Sequence, residues 1–594
     1  MGNTLDKPKT EKETSVGINL EDGLSWGVSS MQGWRITMED AHIIAHPNSS
    51  YDDHGKKLLD SAVVETTSSG DDYDCNTKRQ ANLSSEKNHV SSTDPNDERD
   101  QSNDQSENHD DKMEDKDDPK EDELKLPPHH YFFCVLDGHS GDFAAHYSCD
   151  HLLPTLLEQD AFQEYERIWR ATTTLSTTSL SECNAPSSSS SKLGNKKRKQ
   201  EVNSKTEQQE KMPNQDRNLM RLQQSQLLLQ RALEDAFVEL DLMLMQEMVR
   251  RKMVIPPPPT TDKEDDSSSD SSLLLPKAQC TQGACISGTT AVAVLVTPEW
   301  ILCANLGDSR ASLLLSKNED GTKSMIHEQQ TIVALSKDHK PDLPKEEARI
   351  EAANGSVTGG RVDGELAVSR ALGDFDFKET YPRQLYDCDC ESSSSSVTKR
   401  QSRRRQARLQ GDESNNGIDE KSDGAKEEDL DWEHQRTMAQ LLKVSPFPEV
   451  FAYPRGKLKH EGNGKEERLD GPNGGEKILL LGCDGIWDVM TNENCHNLVQ
   501  ELLVEGERNI GSVAEEILDR CLKKESKDNM TMIVVHFSDA VNCGGSQTTT
   551  SGGGILKRRK QRNSGTKANR DCVNRSCEKQ GASKGKTEVS PLLH

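Results

Sequence analysis

A chain of 594 residues has the length of three or four domains, yet only 32% of its residues are hydrophobic and 4% aromatic, and its mean hydropathy is -0.83. Apolar material that sparse cannot offset the entropy of ordering the whole chain, so one packed domain with long solvated segments is expected. The formal net charge of -27 argues against nucleic-acid binding by the chain as a whole.

The 15 Cys include no CxxC pair, and the sequence shows neither a signal peptide nor an apolar run of transmembrane length. Reduced thiols fit that pattern, in the cytoplasm and/or nucleus, and a structural zinc site does not.

In chain order, residues 1–22 read as an N-terminal arm ahead of a domain spanning 23–540. The start, Met1-Gly2-Asn3-Thr4-Leu5-Asp6, offers Gly2 for myristoylation, although that pattern asks for Ser or Thr where Asp6 stands. If Gly2 is acylated, one chain supports only weak, reversible membrane contact. Six polar stretches are expected to be disordered: an acidic one at 47–127, then 171–217, 255–282, 383–437 and 455–476, and a basic tail at 541–594. Basic clusters at 196–199, 399–408 and 557–562 read as solvated polybasic segments or as nuclear-import signals.

Between these stretches the elements are legible. Apolar runs predict buried strands at Tyr131–Leu136, Ala291–Val296, Trp300–Ala304, Ile478–Leu481 and Met532–Phe537. Leu229, Leu233, Phe237 and Leu240 recur at helical spacing. Pro344 followed by Glu346 and Glu347 predicts a helix start with Pro at the first position. Ser512 with Glu515 has the form of a capping box ahead of Ile517, Leu518 and Leu522. Strands scattered among few helices favour an antiparallel α+β arrangement over a doubly wound parallel sheet.

Chemistry is concentrated in five short stretches with acidic residues at strand ends: Arg35 to Asp40, Asp137-Gly138-His139, Gly307 to Arg310, Asp484 to Asp488, and Asp528-Asn529. Singly, each is an ordinary turn. Jointly, carboxylates aimed from rigid strand ends form an oxygen-rich cage for hard cations, Mg²⁺ or Mn²⁺ rather than Zn²⁺.

The stretches SSMQGWRITMEDAH (29–42), FFCVLDGHSG (132–141), SGTTAVAVLV (287–296), LCANLGDSRASL (302–313), LSKDHKPDLPKEEARI (335–350), GRVDGELAVSRALGDFDFK (360–378), LLLGCDGIWDVM (479–490) and DNMTMIVV (528–535) resemble the metal-dependent protein serine/threonine phosphatases of type 2C. The resemblance covers nearly all the foldable sequence, in family order. It implies an αββα sandwich of two antiparallel sheets flanked by helices, with two Mg²⁺ or Mn²⁺ ions at one end. By that resemblance Asp40, Asp137, Asp484 and Asp528 ligate the ions together with the Gly138 carbonyl, and Glu39 acts through bound water. Arg35 binds the substrate phosphate, and His139 is the general acid. Asp308 and Asp488 match positions that, with Asp484, hold a weaker third ion in some members. The implied reaction is attack on phosphoserine or phosphothreonine by a hydroxide bridging two ions. No CX₅R pattern surrounds any Cys, so no cysteinyl-phosphate route is expected. One departure is Ser140, where the family usually has Gly.

The rival readings are a catalytically inactive module on the same fold, recruiting partners through acidic and basic tails, and an acidic chaperone built on residues 97–123. The first is expected to have lost a site residue, and the second leaves the ordered carboxylates unexplained. Expected partners are phosphoprotein substrates and basic proteins drawn to the acidic insertion, with no specific nucleic acid. The protein is expected to be a monomer.

Overall fold

The structure is a computed structural model that describes residues 4–47, 50–51, 57–58, 124–178, 214–251, 253, 287–315, 331–378, 423–455, 458–461, 465–468 and 475–537. The acidic run, the three basic clusters and the tail at 541–594 lie outside the described residues.

The first sheet begins with a long edge strand, Thr4–Asn19 (β1), paired antiparallel with Leu24–Arg35 (β2). The second begins with Ala41–Ala45 (β3) and Tyr131–His139 (β4), extended by Gly288–Val296 (β5) and Trp300–Leu306 (β6). Arg310–Leu315 (β7) and Thr331–Ala334 (β8) return to the first sheet, and Glu449–Pro454 (β9) to the second. Glu476–Gly482 (β10) and Met530–Phe537 (β11) complete the first. The strand orders are β1-β2-β11-β10-β7-β8 and β9-β6-β5-β4-β3. Every neighbouring pair is antiparallel.

Helices Phe143–Leu157 (α1), Asp160–Thr178 (α2) and Asn214–Arg250 (α3) cover the second sheet; Pro344–Ala352 (α4) and Asp423–Leu441 (α5) follow in the chain. After the short helix Asp484–Trp487 (α6), Asn492–Val504 (α7) and Ile510–Lys523 (α8) cover the first sheet. The result is the α+β sandwich with helices on both outer faces.

This layering explains the continuous apolar runs. On β4, Tyr131, Phe133 and Val135 share a core with Leu24, Trp26 and Val28 of the facing sheet. The alternate residues Phe132, Cys134 and Leu136 share one with Leu152 and Leu156 of α1 and Leu233 and Phe237 of α3. A strand covered on both faces needs apolar side chains at every position.

Several expectations are corrected. Residues 4–19 are not an arm outside the domain but a sheet strand, with Thr14 Oγ1 bonded to Ser29 Oγ and Glu515 Oε1. Alternating Lys and Glu suit a solvent-facing edge and hide the strand from a search for apolar runs. Leu124 and Leu126, assigned to the acidic insertion, are buried. Helices α2 and α3 extend into 171–217 from both ends. Helix α5 occupies the end of 383–437, burying Trp432, Gln435 and Ala439 at helical spacing, while Arg436 pairs with Glu234 and Asp235 of α3. Residues 458–461 and 465–468 form a hairpin inside 455–476. The cap of α8 is Asn509, whose side chain accepts from the Ser512 N–H, so the helix starts a turn before the Ser512–Glu515 box. Pro344 does stand in the first turn of α4. Among the described residues no helix is long and apolar enough to cross a membrane.

Helix α8 approaches β2 so closely that a Cβ at Gly27 would lie 2.4 Å from the Gly511 nitrogen and 2.5 Å from the Ile510 carbonyl carbon. Both are backbone atoms, so Gly27→Ala must push the helix off the sheet. We expect a loss of about 1–3 kcal/mol in urea unfolding. Val504→Ser, at a site 88% exposed, should stay within about 0.5 kcal/mol of the parent. Equal stability of Gly27→Ala and the parent would contradict this packing.

Candidate metal and catalytic centre

Four strand ends meet at one end of the sandwich. Asp40 immediately precedes β3, Asp137 lies two residues from the end of β4, Asp484 opens α6 just after β10, and Asp528 stands two residues before β11. Antiparallel pairing puts these starts and ends on the same side, which is how residues hundreds apart in sequence become neighbours.

Asp484 N donates to Asp137 Oδ2 at 3.4 Å, and ligand atoms of Asp40, Asp137 and Cys483 lie within 4.8 Å of one another. Thr531 Oγ1 donates to Asp40 Oδ2 at 2.7 Å, while Asp40 Oδ1 is buried with no hydrogen-bond partner. Arg35 Nη2 donates to Asp528 Oδ2 at 2.6 Å from a side chain 40% exposed. Glu39 accepts through Oε1 from Thr37 Oγ1, and its N–H donates to Asn529 Oδ1 at 2.9 Å. A Cβ at position 138 would lie 2.2 Å from the Glu39 carbonyl oxygen, so only glycine lets β4 approach that segment.

Crowded carboxylates resist ionisation. Burial first, and then the charge of Asp528, pushes Asp40 up to about 7 against the hydrogen bond from Thr531. Burial followed by Asp308, Asp528 and Asp488 pushes Asp484 up to about 8. Asp137 is held well above the usual carboxylate range by burial, then by Asp484, Asp40, Asp308 and Asp528. Asp488 is raised in the same way, burial first.

His139 ends β4. Its Nε2 lies 2.8 and 2.9 Å from the two carboxylate oxygens of Asp374. Burial pulls its pKa down, but the Asp374 charge and hydrogen bond outweigh that and raise it. The next residue, Ser140, has φ 57°. That left-handed backbone accounts for the usual Gly there, and Ser accepts the strain. Asp308 is brought to the cluster already ion-paired with Lys340, and Arg310 is bound by Asp338 through two hydrogen bonds of 2.7 and 2.8 Å.

Some contributors carry no signal of their own in the sequence. Asn529 stitches the 32–39 segment down, donating to the Gln32 and Thr37 carbonyls at 2.9 and 3.0 Å. Cys483 approaches the carboxylates, but burial holds its thiol neutral, and it donates to the Asn529 carbonyl and accepts from the Thr531 N–H. Thr531, Lys340 and Asp374 belong to the same group. Their positions inside quoted motifs were the available clue.

The comparisons with known proteins agree. The family described as protein phosphatase 2C matches residues 202–403 and 471–530. Protein phosphatase 1A of Bos taurus is 26% identical over 91% of this chain and 77% of its own length. Protein phosphatase ppm-1.A of Caenorhabditis elegans is 25% identical over 91% of this chain, which spans 64% of that protein. Among solved structures, a phosphatase from a pathogenic strain of Toxoplasma gondii is similar at a TM-score of 0.39 and 16% identity, covering 89% of this chain and 96% of that one. A score that low leaves the fold to stand on its own strand order. The chain is similar to the protein phosphatase 2C family over the matched segments.

The raised carboxylates predict a pH signature in protein stripped of metal by a chelator. Asp40, Asp137, Asp484 and His139 are all raised, so the folded state holds more protons than the unfolded chain, and stability falls as pH rises. His130 and His496, held down to about 4 by burial, contribute the opposite slope only up to their unfolded value of 6.5. The fall is therefore expected between pH 6.5 and 8, shallower in Asp484→Asn, and reversed by Mn²⁺. Thermal melts with a rising slope in that window, or an unchanged slope in Asp484→Asn, would contradict the cluster.

Proposed function

We propose that this protein hydrolyses phosphoserine and phosphothreonine esters of proteins with the aid of two Mg²⁺ or Mn²⁺ ions. The observation that carries the reading is the convergence of Asp40, Asp137, Asp484 and Asp528, with Asp40 Oδ1 buried and unpartnered. A buried carboxylate oxygen without a donor is costly unless a cation meets it. The donor set is oxygen-rich and its one thiol is neutral, which suits hard divalent ions.

On this reading Asp40, Asp137, Asp484, Asp528 and the Gly138 carbonyl would hold the ions, and Glu39 would act through water bound to them. Bound ions supply Lewis-acid activation of water and charge neutralisation on the phosphoryl oxygens. The protein supplies the rest. Arg35 presents a planar guanidinium from a half-exposed position, oriented by Asp528, and forks onto two phosphate oxygens in a way Lys cannot. His139, held by Asp374, gives a proton to the departing seryl or threonyl oxygen. The Lys340 ammonium already neutralises Asp308, so a third ion at Asp308 and Asp488 must displace or share that contact. Phosphoproteins are the substrates, and the acidic insertion favours basic ones.

The purified protein should dephosphorylate a phosphothreonine peptide with Mn²⁺ or Mg²⁺ and stop when EDTA is added. Asp137→Asn and Asp484→Asn should each lower kcat/KM by about 100-fold or more. Arg35→Lys should lose most of its kcat/KM through KM. Activity that survives complete metal removal, or full activity in Asp137→Asn, would sink the reading.

A further inference from the structure

His139 is held by a device larger than one hydrogen bond. Asp374 is 2% exposed and adopts a left-handed backbone, φ 50° and ψ 42°, which a non-glycine residue takes only when its surroundings enforce it. Three features enforce it here. The Asp374 N–H donates to the Ser287 carbonyl at 3.3 Å. Its carboxylate fills the space a side chain would need at Gly288, where a Cβ would meet three Asp374 atoms at 2.3–2.4 Å. The preceding Gly373, φ 77°, donates its N–H at 2.8 Å to Asp241 Oδ1 on α3.

Asp241 is half of an ion pair with Lys378 in which both side chains are 0% exposed. Lys378 Nζ donates to Asp241 Oδ1 and Oδ2 at 2.9 and 2.8 Å and to the Ala371 carbonyl at 2.9 Å, which accounts for all three of its protons. A buried ion pair contributes little net stability compared with apolar residues of the same volume. What this one does is geometric. It ties both ends of the 371–378 loop to one point on α3, with Asp374 between them. The strained residue and the buried pair together support the contact from Asp374 to His139 Nε2.

We propose that Asp374 is the positioning residue of His139, fixing the ring and its tautomer so that Nδ1 is the nitrogen presented to substrate, and that the Lys378–Asp241 pair holds Asp374 in place. Nε2 carries the proton shared with Asp374, so proton delivery to the leaving oxygen falls to Nδ1. This deepens the phosphatase reading and rests on it for the kinetic consequence. The tautomer itself does not.

The test compares the full-length parent with Asp374→Asn, Asp374→Ala and Lys378→Met, each checked for folding by circular dichroism and for Mn²⁺ binding by calorimetry. Substrates are a phosphothreonine peptide, whose alkoxide leaves poorly, and p-nitrophenyl phosphate, whose phenolate leaves well. Asp374→Ala should lower kcat on the peptide by about 100-fold, with a much smaller loss on the aryl ester and unchanged Mn²⁺ affinity. Asp374→Asn, which keeps an acceptor oxygen, should recover part of the loss, and Lys378→Met should fall between parent and Asp374→Ala. Equal losses on both substrates, or none on the peptide, would overturn the proposal. In parallel, ¹⁵N spectra of histidine-labelled protein should show His139 protonated at Nε2 in the parent and redistributed in Asp374→Ala; an unchanged tautomer would overturn the positioning role. A parent inactive on both substrates would remove the phosphatase reading, and the tautomer measurement would then decide the positioning role alone.

Discussion

The structure depends on the mutual repulsion of carboxylates gathered at one end of a sandwich. Asp40, Asp137 and Asp484 are drawn together by strand pairing and held above the ordinary carboxylate range by burial and by one another. A fold built only for stability would avoid that arrangement. Partial relief comes from Thr531 on Asp40, the Asp484 N–H on Asp137, Arg35 on Asp528 and Lys340 on Asp308. None of these neutralises the centre of the cluster, where Asp40 Oδ1 stays unpartnered. A divalent cation would turn the repulsion into attraction.

Rigidity around the cluster comes from close backbone contact. Glycine at 138 lets β4 meet the Glu39 segment. Asn529 pins the loop that carries Arg35 and Glu39. The buried network of Glu346 with Arg349 and Arg370 anchors α4 to the 369–370 segment and, through carbonyl contacts, to residues 442, 443 and 447. Burial outweighed by these two arginines leaves Glu346 well below the usual carboxylate range, a site where charge is stabilised, unlike the cluster.

The central strands were legible because a strand covered on both faces must be apolar throughout, and β4, β5, β6, β10 and β11 were each found from that run alone. The carboxylates were legible because they sit at the ends of those runs. What escaped has a physical reason in each case. Strand β1 is polar because it borders solvent, and its Val16 lies against Gly511. Helix α5 follows an acidic stretch, and its buried Trp432, Gln435 and Ala439 include one polar residue, which blurs the apolar period. The cap of α8 was misplaced because Ser512 and Glu515 have the right types and spacing, while Asn509, a turn earlier, takes the position. Asp374 and Lys378 stood inside a quoted motif, but only the tertiary structure brings them to His139 and Asp241.

The central claim is that the four aspartates share bound divalent ions. Its most direct test is the anomalous scattering of Mn²⁺ in crystals of the protein grown with that ion. The account predicts strong peaks in the cleft between Asp40, Asp137, Asp484 and Asp528, with the Gly138 carbonyl within bonding distance. Crystals saturated with Mn²⁺ that show no peak among those residues would contradict it.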